Sequence, residues 1–239
     1  MFGAEPIACE FEGRQLVGCV SRPRRLGPHP TVLIIHGGNG LHHIVPRTAE
    51  RLADAGYIAV AADMVGPQFH GDPEAVQAAS SIYGEQPERA RRVTAAWVEA
   101  AAALSDTAPG RIAAIGYCFG GHCVLELARS GADVRAVVSF HGILTTRLPG
   151  APGDVKAKVA VYTGCRDPYV PAEHVAMLRG ELDRAGASFS ITEFSDAAHA
   201  FTDPDADALM MPGLAAHPLA DAVSWDGMMA MLSVTMGGS

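Results

Sequence analysis

The chemistry of this 239-residue chain is most legible around Cys118. The segment Gly116-Tyr117-Cys118-Phe119-Gly120-Gly121 follows an apolar run at 112–115 and precedes a helical pattern. It has the G-x-nucleophile-x-G form of a sharp strand-to-helix turn, with cysteine in the nucleophile position. A side chain on so strained a turn needs neighbours without bulk two residues away, and Gly116 and Gly120 meet that need. A helix N-terminus also favours thiolate, because its free N–H groups and local dipole stabilise negative charge. The plainer reading, a small buried hydrophobic cysteine, accounts for the residue type. It does not account for the order of strand, turn and helix around it.

A nucleophilic thiol needs a base, and the base needs an orienting group. Asp167, in Cys165-Arg166-Asp167-Pro168, follows one apolar run; His199, in Ser195-Asp196-Ala197-Ala198-His199, follows another. Taken singly, Asp167 reads equally well as a turn residue before Pro168, and His199 as a solvated loop histidine. Jointly, and each just past a strand end, they read as acid and base to Cys118. A third part is the Gly-rich turn Ile35-His36-Gly37-Gly38-Asn39-Gly40. Acyl transfer builds negative charge on a carbonyl oxygen, which two backbone N–H groups stabilise. The expected donors are the amides of Phe119 and Gly38, and His36, Gly37, Asn39, His141 and Phe201 are expected to line the pocket. Neither a phosphate-cradling G-x-x-x-x-G-K-[ST] nor a dinucleotide G-x-G-x-x-G accompanies the turn. His36, His42, His43, His70 and His141 form a poor metal set, without an H-x₃-H helical pair or a CxxC.

These residues need strands to end beside one another. The hydrophobic pattern predicts strands over 8–12, 15–21, 31–35, 57–64, 111–117, 134–140, 158–164 and 189–194. It predicts helices over 45–55, 87–105, 119–129, 171–185 and 220–234. Strands alternating with helices, and reading as buried apolar runs, mean an α/β fold with a mostly parallel sheet covered on both faces. Chemistry in such sheets sits past the C-terminal strand ends. No repeat or linker interrupts the pattern, so one domain over 1–239 is expected.

Composition narrows the partners. At 49% hydrophobic and 18% charged residues, the chain has material for a large core, and disorder is excluded. A net charge of −8 argues against a nucleic-acid or anionic-membrane surface. No run approaches the roughly 18 apolar residues of a membrane span, and no signal peptide is expected from the N-terminal residues. Five cysteines without CxxC spacing suggest a reducing, cytoplasmic compartment. A Cys118–Cys123 bridge is not expected, since five residues along one helix point the side chains apart. Monomer and homodimer are both open.

With Phe140-His141-Gly142-Ile143, Asp167-Pro168-Tyr169-Val170-Pro171 and His199-Ala200-Phe201-Thr202 added to the Cys118 turn, the sequence resembles the dienelactone hydrolase family. The resemblance runs from about Pro30 to the last helix. It implies an α/β-hydrolase fold without a large cap domain, with Cys118, His199 and Asp167 as a triad in the chain order of that superfamily. The implied activity is hydrolysis of a carboxylic ester or lactone through a thioester, with no metal or organic cofactor. Two positions depart from the family pattern. A glutamate in the oxyanion loop is replaced by Gly37, and an arginine expected shortly after the histidine is replaced around Asp203. The second change points to a neutral or differently anchored ester, with Arg47, Arg89, Arg91 and Arg92 as candidate anchors. Within hydrolases the runner-up is a thioesterase or a broad small-ester carboxylesterase. From another class stands a non-catalytic binding protein or a redox-sensing thiol protein on the same scaffold.

Overall fold

In the computed structural model, which describes residues 5–41, 44–69 and 72–237, eight strands form a single sheet. In chain order the elements are β1 (Glu5–Phe11), β2 (Arg14–Ser21), β3 (His29–Ile35), α1 (Ile44–Asp54), β4 (Ile58–Ala62), α2 (Pro73–Glu85), α3 (Pro87–Ala102) and β5 (Thr107–Tyr117). They continue with α4 (Phe119–Arg129), β6 (Ala136–Phe140), β7 (Lys158–Gly164), α5 (Ala172–Ala185), β8 (Phe189–Phe194) and α6 (Pro218–Met236). The strand order is β1-β2-β4-β3-β5-β6-β7-β8. An antiparallel β1–β2 hairpin borders β4, and every pairing from β4 to β8 is parallel.

The apolar run of β3 explains why both faces are covered. Successive strand side chains point to opposite faces. Leu33 and Ile35 join a core with Trp97 of α3, Val124 of α4 and Leu178 of α5, while Val32 and Ile34 join another with Leu52 of α1 and Met228 of α6. Leaving either set in water would cost about 1.5–3 kcal/mol per side chain.

Most predicted elements are present with ends shifted by a few residues, but the pattern did not predict α2. Only Val76, Ser80 and Tyr83 of its described residues are buried, a thin stripe for a periodicity reading. The start signal was nonetheless written in the chain. Asp72 caps the helix by accepting the Ala75 N–H at 3.0 Å, Pro73 occupies the first turn, and Glu74 faces the positive end of the dipole.

Register brings the functional loops together. Ile35 at the end of β3 pairs with Gly116 of β5, and Tyr117 pairs with Phe140 at the end of β6. Gly164, ending β7, pairs with Phe194, ending β8. The loop after β3 therefore runs beside the turn after β5, where the strand order reverses direction.

Candidate active site

Cys118 stands between β5 and α4 with φ 52° and ψ −114°. A non-glycine residue at positive φ costs on the order of 1–3 kcal/mol and needs the surroundings to hold it. Here its N–H donates to Phe140 O at 3.0 Å, and its carbonyl accepts the His122 N–H at 3.2 Å. The glycines answer to close approach. A Cβ on Gly116 would lie 2.1 Å from Gly120 O, and one on Gly120 would lie 2.3 Å from Ile35 O. The turn closes only because both positions are bare.

Asp167 and His199 arrive from the ends of β7 and β8. The Asp167 carboxylate is fixed at both oxygens: Oδ1 accepts the Tyr169 N–H at 2.8 Å, and Oδ2 accepts His199 Nδ1–H at 2.7 Å. His199 is anchored through its own N–H on Gly213 O at 3.0 Å. Its ring lies edge-on between Tyr169 and His141, with centroids 4.9 and 5.2 Å away. The ring also hydrogen-bonds the Cys118 thiol, which receives the backbone N–H groups of Phe119 and Gly38 as well.

The electrostatics follow. Burial raises the Cys118 pKa, but the hydrogen bond and charge of His199, with the two backbone amides, outweigh it and bring the thiol below its ordinary value. Burial likewise works to lower the His199 pKa. The hydrogen bonds and charges of Asp167 and Cys118 overcome that and raise it to about 10. Both shifts favour thiolate and imidazolium over neutral thiol and neutral ring. His141 is pushed the other way, well below 6.5, by burial and by the His199 charge.

A cavity of about 970 Å³ opens over the sulfur. Gly37, Gly38, Asn39, Cys118, Phe119, His141 and His199 line it, and Asp167 sits behind His199, shielded from it. His36 and Phe201, both expected in the lining, are not there. His36 is buried and ties the loop down, its Nδ1–H donating to Gly37 O at 2.6 Å and its Nε2 accepting the Met64 N–H at 3.1 Å. Phe201 is buried behind the site against His141 and Phe194, at 5.1 and 5.4 Å between ring centroids.

The opposite wall is α2, which supplies Glu74, Gln77, Ser80 and Ser81. Sequence reasoning missed these residues because it missed the helix; the Asp72-Pro73-Glu74 start signal would have placed them. The candidate arginine anchors are elsewhere. Arg89 and Arg92 pair with Glu12 at 2.8 and 2.9 Å, Arg91 pairs with Glu126 at 2.8 Å, and Arg47 is exposed on α1 outside the lining. His42, His43 and His70 lie outside the described residues. Among the described residues no group of three or more His, Cys, Asp or Glu is placed to hold a metal ion, and no helix is long and apolar enough to cross a membrane.

Comparison with known proteins identifies the family. The model of the dienelactone hydrolase family matches residues 16–235. The structure named m3DLH is 35% identical, with a TM-score of 0.91, covering 97% of this chain and 98% of its own. A dienelactone hydrolase-like promiscuous phosphotriesterase from metagenomic libraries is 33% identical, with a TM-score of 0.93 and 98% of each chain covered. A Yersinia pestis protein provisionally named a carboxymethylenebutenolidase is 30% identical over 207 residues, 80% of this chain and 75% of that protein. With a family match over nearly its full length and a sheet, turn and strand-end loops to fit, the chain belongs to the dienelactone hydrolase family of α/β-hydrolase enzymes.

Proposed function

We propose that the protein hydrolyses a carboxylic ester or lactone through a thioester on Cys118, with His199 as acid and base and Asp167 as its orienting carboxylate. The observation that carries the reading is the placement of Cys118, at positive φ on the strand-to-helix turn, in one cavity wall with His199, Gly38 and Phe119, the His199 ring being bonded to Asp167 at 2.7 Å. The thiolate attacks the carbonyl carbon, and negative charge moves from sulfur to the carbonyl oxygen. The two amides that stabilised the thiolate then stabilise that oxygen, so the hole serves both states. His199, already imidazolium, gives its proton to the leaving alkoxide as the tetrahedral adduct collapses to the thioester. Neutral His199 next takes a proton from water, which attacks the thioester and releases the acid and the thiolate. Gly37, in the place of the family glutamate, leaves the thiolate to these donors alone.

The test is turnover of p-nitrophenyl acetate and of an unsubstituted lactone by wild type and Cys118→Ala. Loss of at least about 10³-fold in kcat is expected in the variant, since covalent catalysis is removed. Unchanged turnover in the variant refutes the reading.

A second reading is favoured by the 33% identity to the promiscuous phosphotriesterase. The same thiolate and amides suit attack on an uncharged phosphotriester, which forms an S-phosphoryl enzyme and expels the aryloxide. Release of p-nitrophenolate from a diethyl aryl phosphate, absent in Cys118→Ala, would establish it.

A further inference from the structure

We infer that the cavity over Cys118 accepts uncharged esters and lactones and rejects those whose acyl part carries a carboxylate. This rests on the hydrolase reading above and names its substrate class.

The first ground is the charge around the cavity. Among its described lining residues there is no lysine or arginine, and the two acidic ones are Glu74, exposed on α2, and Asp203, which is buried. The imidazolium of His199 is already shared between the Cys118 thiolate and the Asp167 carboxylate, so the reacting group is itself net negative. An incoming carboxylate therefore meets repulsion and, among the described lining residues, no lysine or arginine to offset the loss of its hydration. His122 and His141, the other described histidines of the lining, are kept neutral by burial. The four arginines that sequence alone left as anchors are committed or face away, as described above.

The second ground is what the walls offer instead. Ile44, Leu209 and Met211 flank the opening, and with about 970 Å³ available the cavity lies at the large end of the range for small-molecule sites. That space suits an apolar chain or ring larger than acetyl. The polar atoms aimed at the reacting carbonyl, the Gly38 and Phe119 amides, recognise an oxygen without requiring a charge elsewhere in the molecule.

The experiment compares two esters with one leaving group and similar length, p-nitrophenyl hexanoate and mono-(4-nitrophenyl) adipate, at pH 8 and low salt. The expected result is a kcat/KM at least tenfold higher for the hexanoate, with the gap shrinking as salt is added. In the double variant Glu74→Gln with Asp203→Asn, which keeps the side-chain lengths and the Asp203 acceptor for the Asp205 N–H, the gap is expected to narrow at least threefold. Equal or faster turnover of the adipate ester by wild type overturns the inference, and needs no variant to fold. An unchanged gap in a folded double variant overturns the assignment of the selectivity to these carboxylates. If neither ester is turned over faster than by Cys118→Ala, the hydrolase reading itself fails, and that result is distinct from the other two.

Discussion

Replacing Asp167 with asparagine changes one atom and reverses the logic of the site. Asp167 Oδ1 is held by the Tyr169 N–H, a donor that only an oxygen can satisfy. The oxygen of the new amide must stay there, which turns its NH₂ toward His199 Nδ1 in place of the carboxylate Oδ2. His199 Nδ1 then has to accept, so the ring proton moves to the nitrogen facing Cys118, and neutral His199 can no longer take the thiol proton. In the native protein the His199 pKa stands at about 10 against an ordinary 6.5, worth about 5 kcal/mol. Asp167 and Cys118 share that stabilisation. Taking an even split between the two, removal of Asp167 costs about 2.5 kcal/mol, a shift of roughly 50- to 100-fold from ion pair toward neutral thiol and imidazole. The same tautomer defect in a serine triad costs about 10⁴ in kcat. Asp167→Asn is therefore expected to alkylate with iodoacetamide about 50- to 100-fold more slowly at pH 6, and to lose about 10²–10⁴ in kcat/KM. Circular dichroism and thermal melting would establish that the variant is folded. Alkylation at pH 6 within about threefold of wild type, by a folded variant, refutes the reasoning.

Other consequences follow from the same contacts. With its pKa lowered by His199 and the two backbone amides, the Cys118 thiol should alkylate faster than a free thiol of pKa ~8.5 from about pH 6 to 8. A rate that tracks a free thiol across that range would count against the pair. Gly116→Ala sets a Cβ 2.1 Å from Gly120 O and should cost about 1–3 kcal/mol of stability, a fall in Tm of roughly 2–4 °C per kcal/mol by thermal melting. Activity should fall further, by about 10²-fold, because the sulfur is displaced. Arg129 lies buried between Glu126 and Glu181, at 2.9 and 2.8 Å, so Arg129→Met leaves two facing carboxylates and should destabilise by about 3–5 kcal/mol in urea unfolding. Burial raises the Glu181 pKa, but the hydrogen bonds and charge of Arg129 outweigh it and leave it below 4.5. Its contribution is thus fully present above pH 4.5 and is lost as pH falls through the lower folded value. The destabilisation by Glu181→Gln should accordingly shrink in acid.

The parts of the site that depend on backbone order were readable in the chain. A cysteine between two bare glycines, and two polar residues each just past a buried strand, are one-dimensional signals, and parallel register converts them into proximity. The position of the 36–40 loop beside Cys118 was readable for the same reason, since β3 and β5 are neighbours. Side-chain direction was not. His36 follows its strand more closely than His199 does, and Phe201 lies only two residues beyond His199, but a hydrogen bond to the Met64 N–H turns His36 inward, and aromatic packing draws Phe201 behind the site. Nor could spacing show that Arg89 and Arg92 meet Glu12, 77 and 80 residues earlier, across the fold. The helix α2 was missed through its weak apolar stripe, although its cap was plain, and with it went one wall of the cavity.

The most direct test of the account is intact-mass measurement of the wild-type protein milliseconds to seconds after mixing with p-nitrophenyl acetate, followed by peptide mapping. The account expects an added acetyl group on the peptide carrying Cys118, labile to hydroxylamine and gone once substrate is exhausted. Rapid turnover with the acetyl group on another residue, or turnover undiminished in Cys118→Ala with no acyl enzyme, would contradict it.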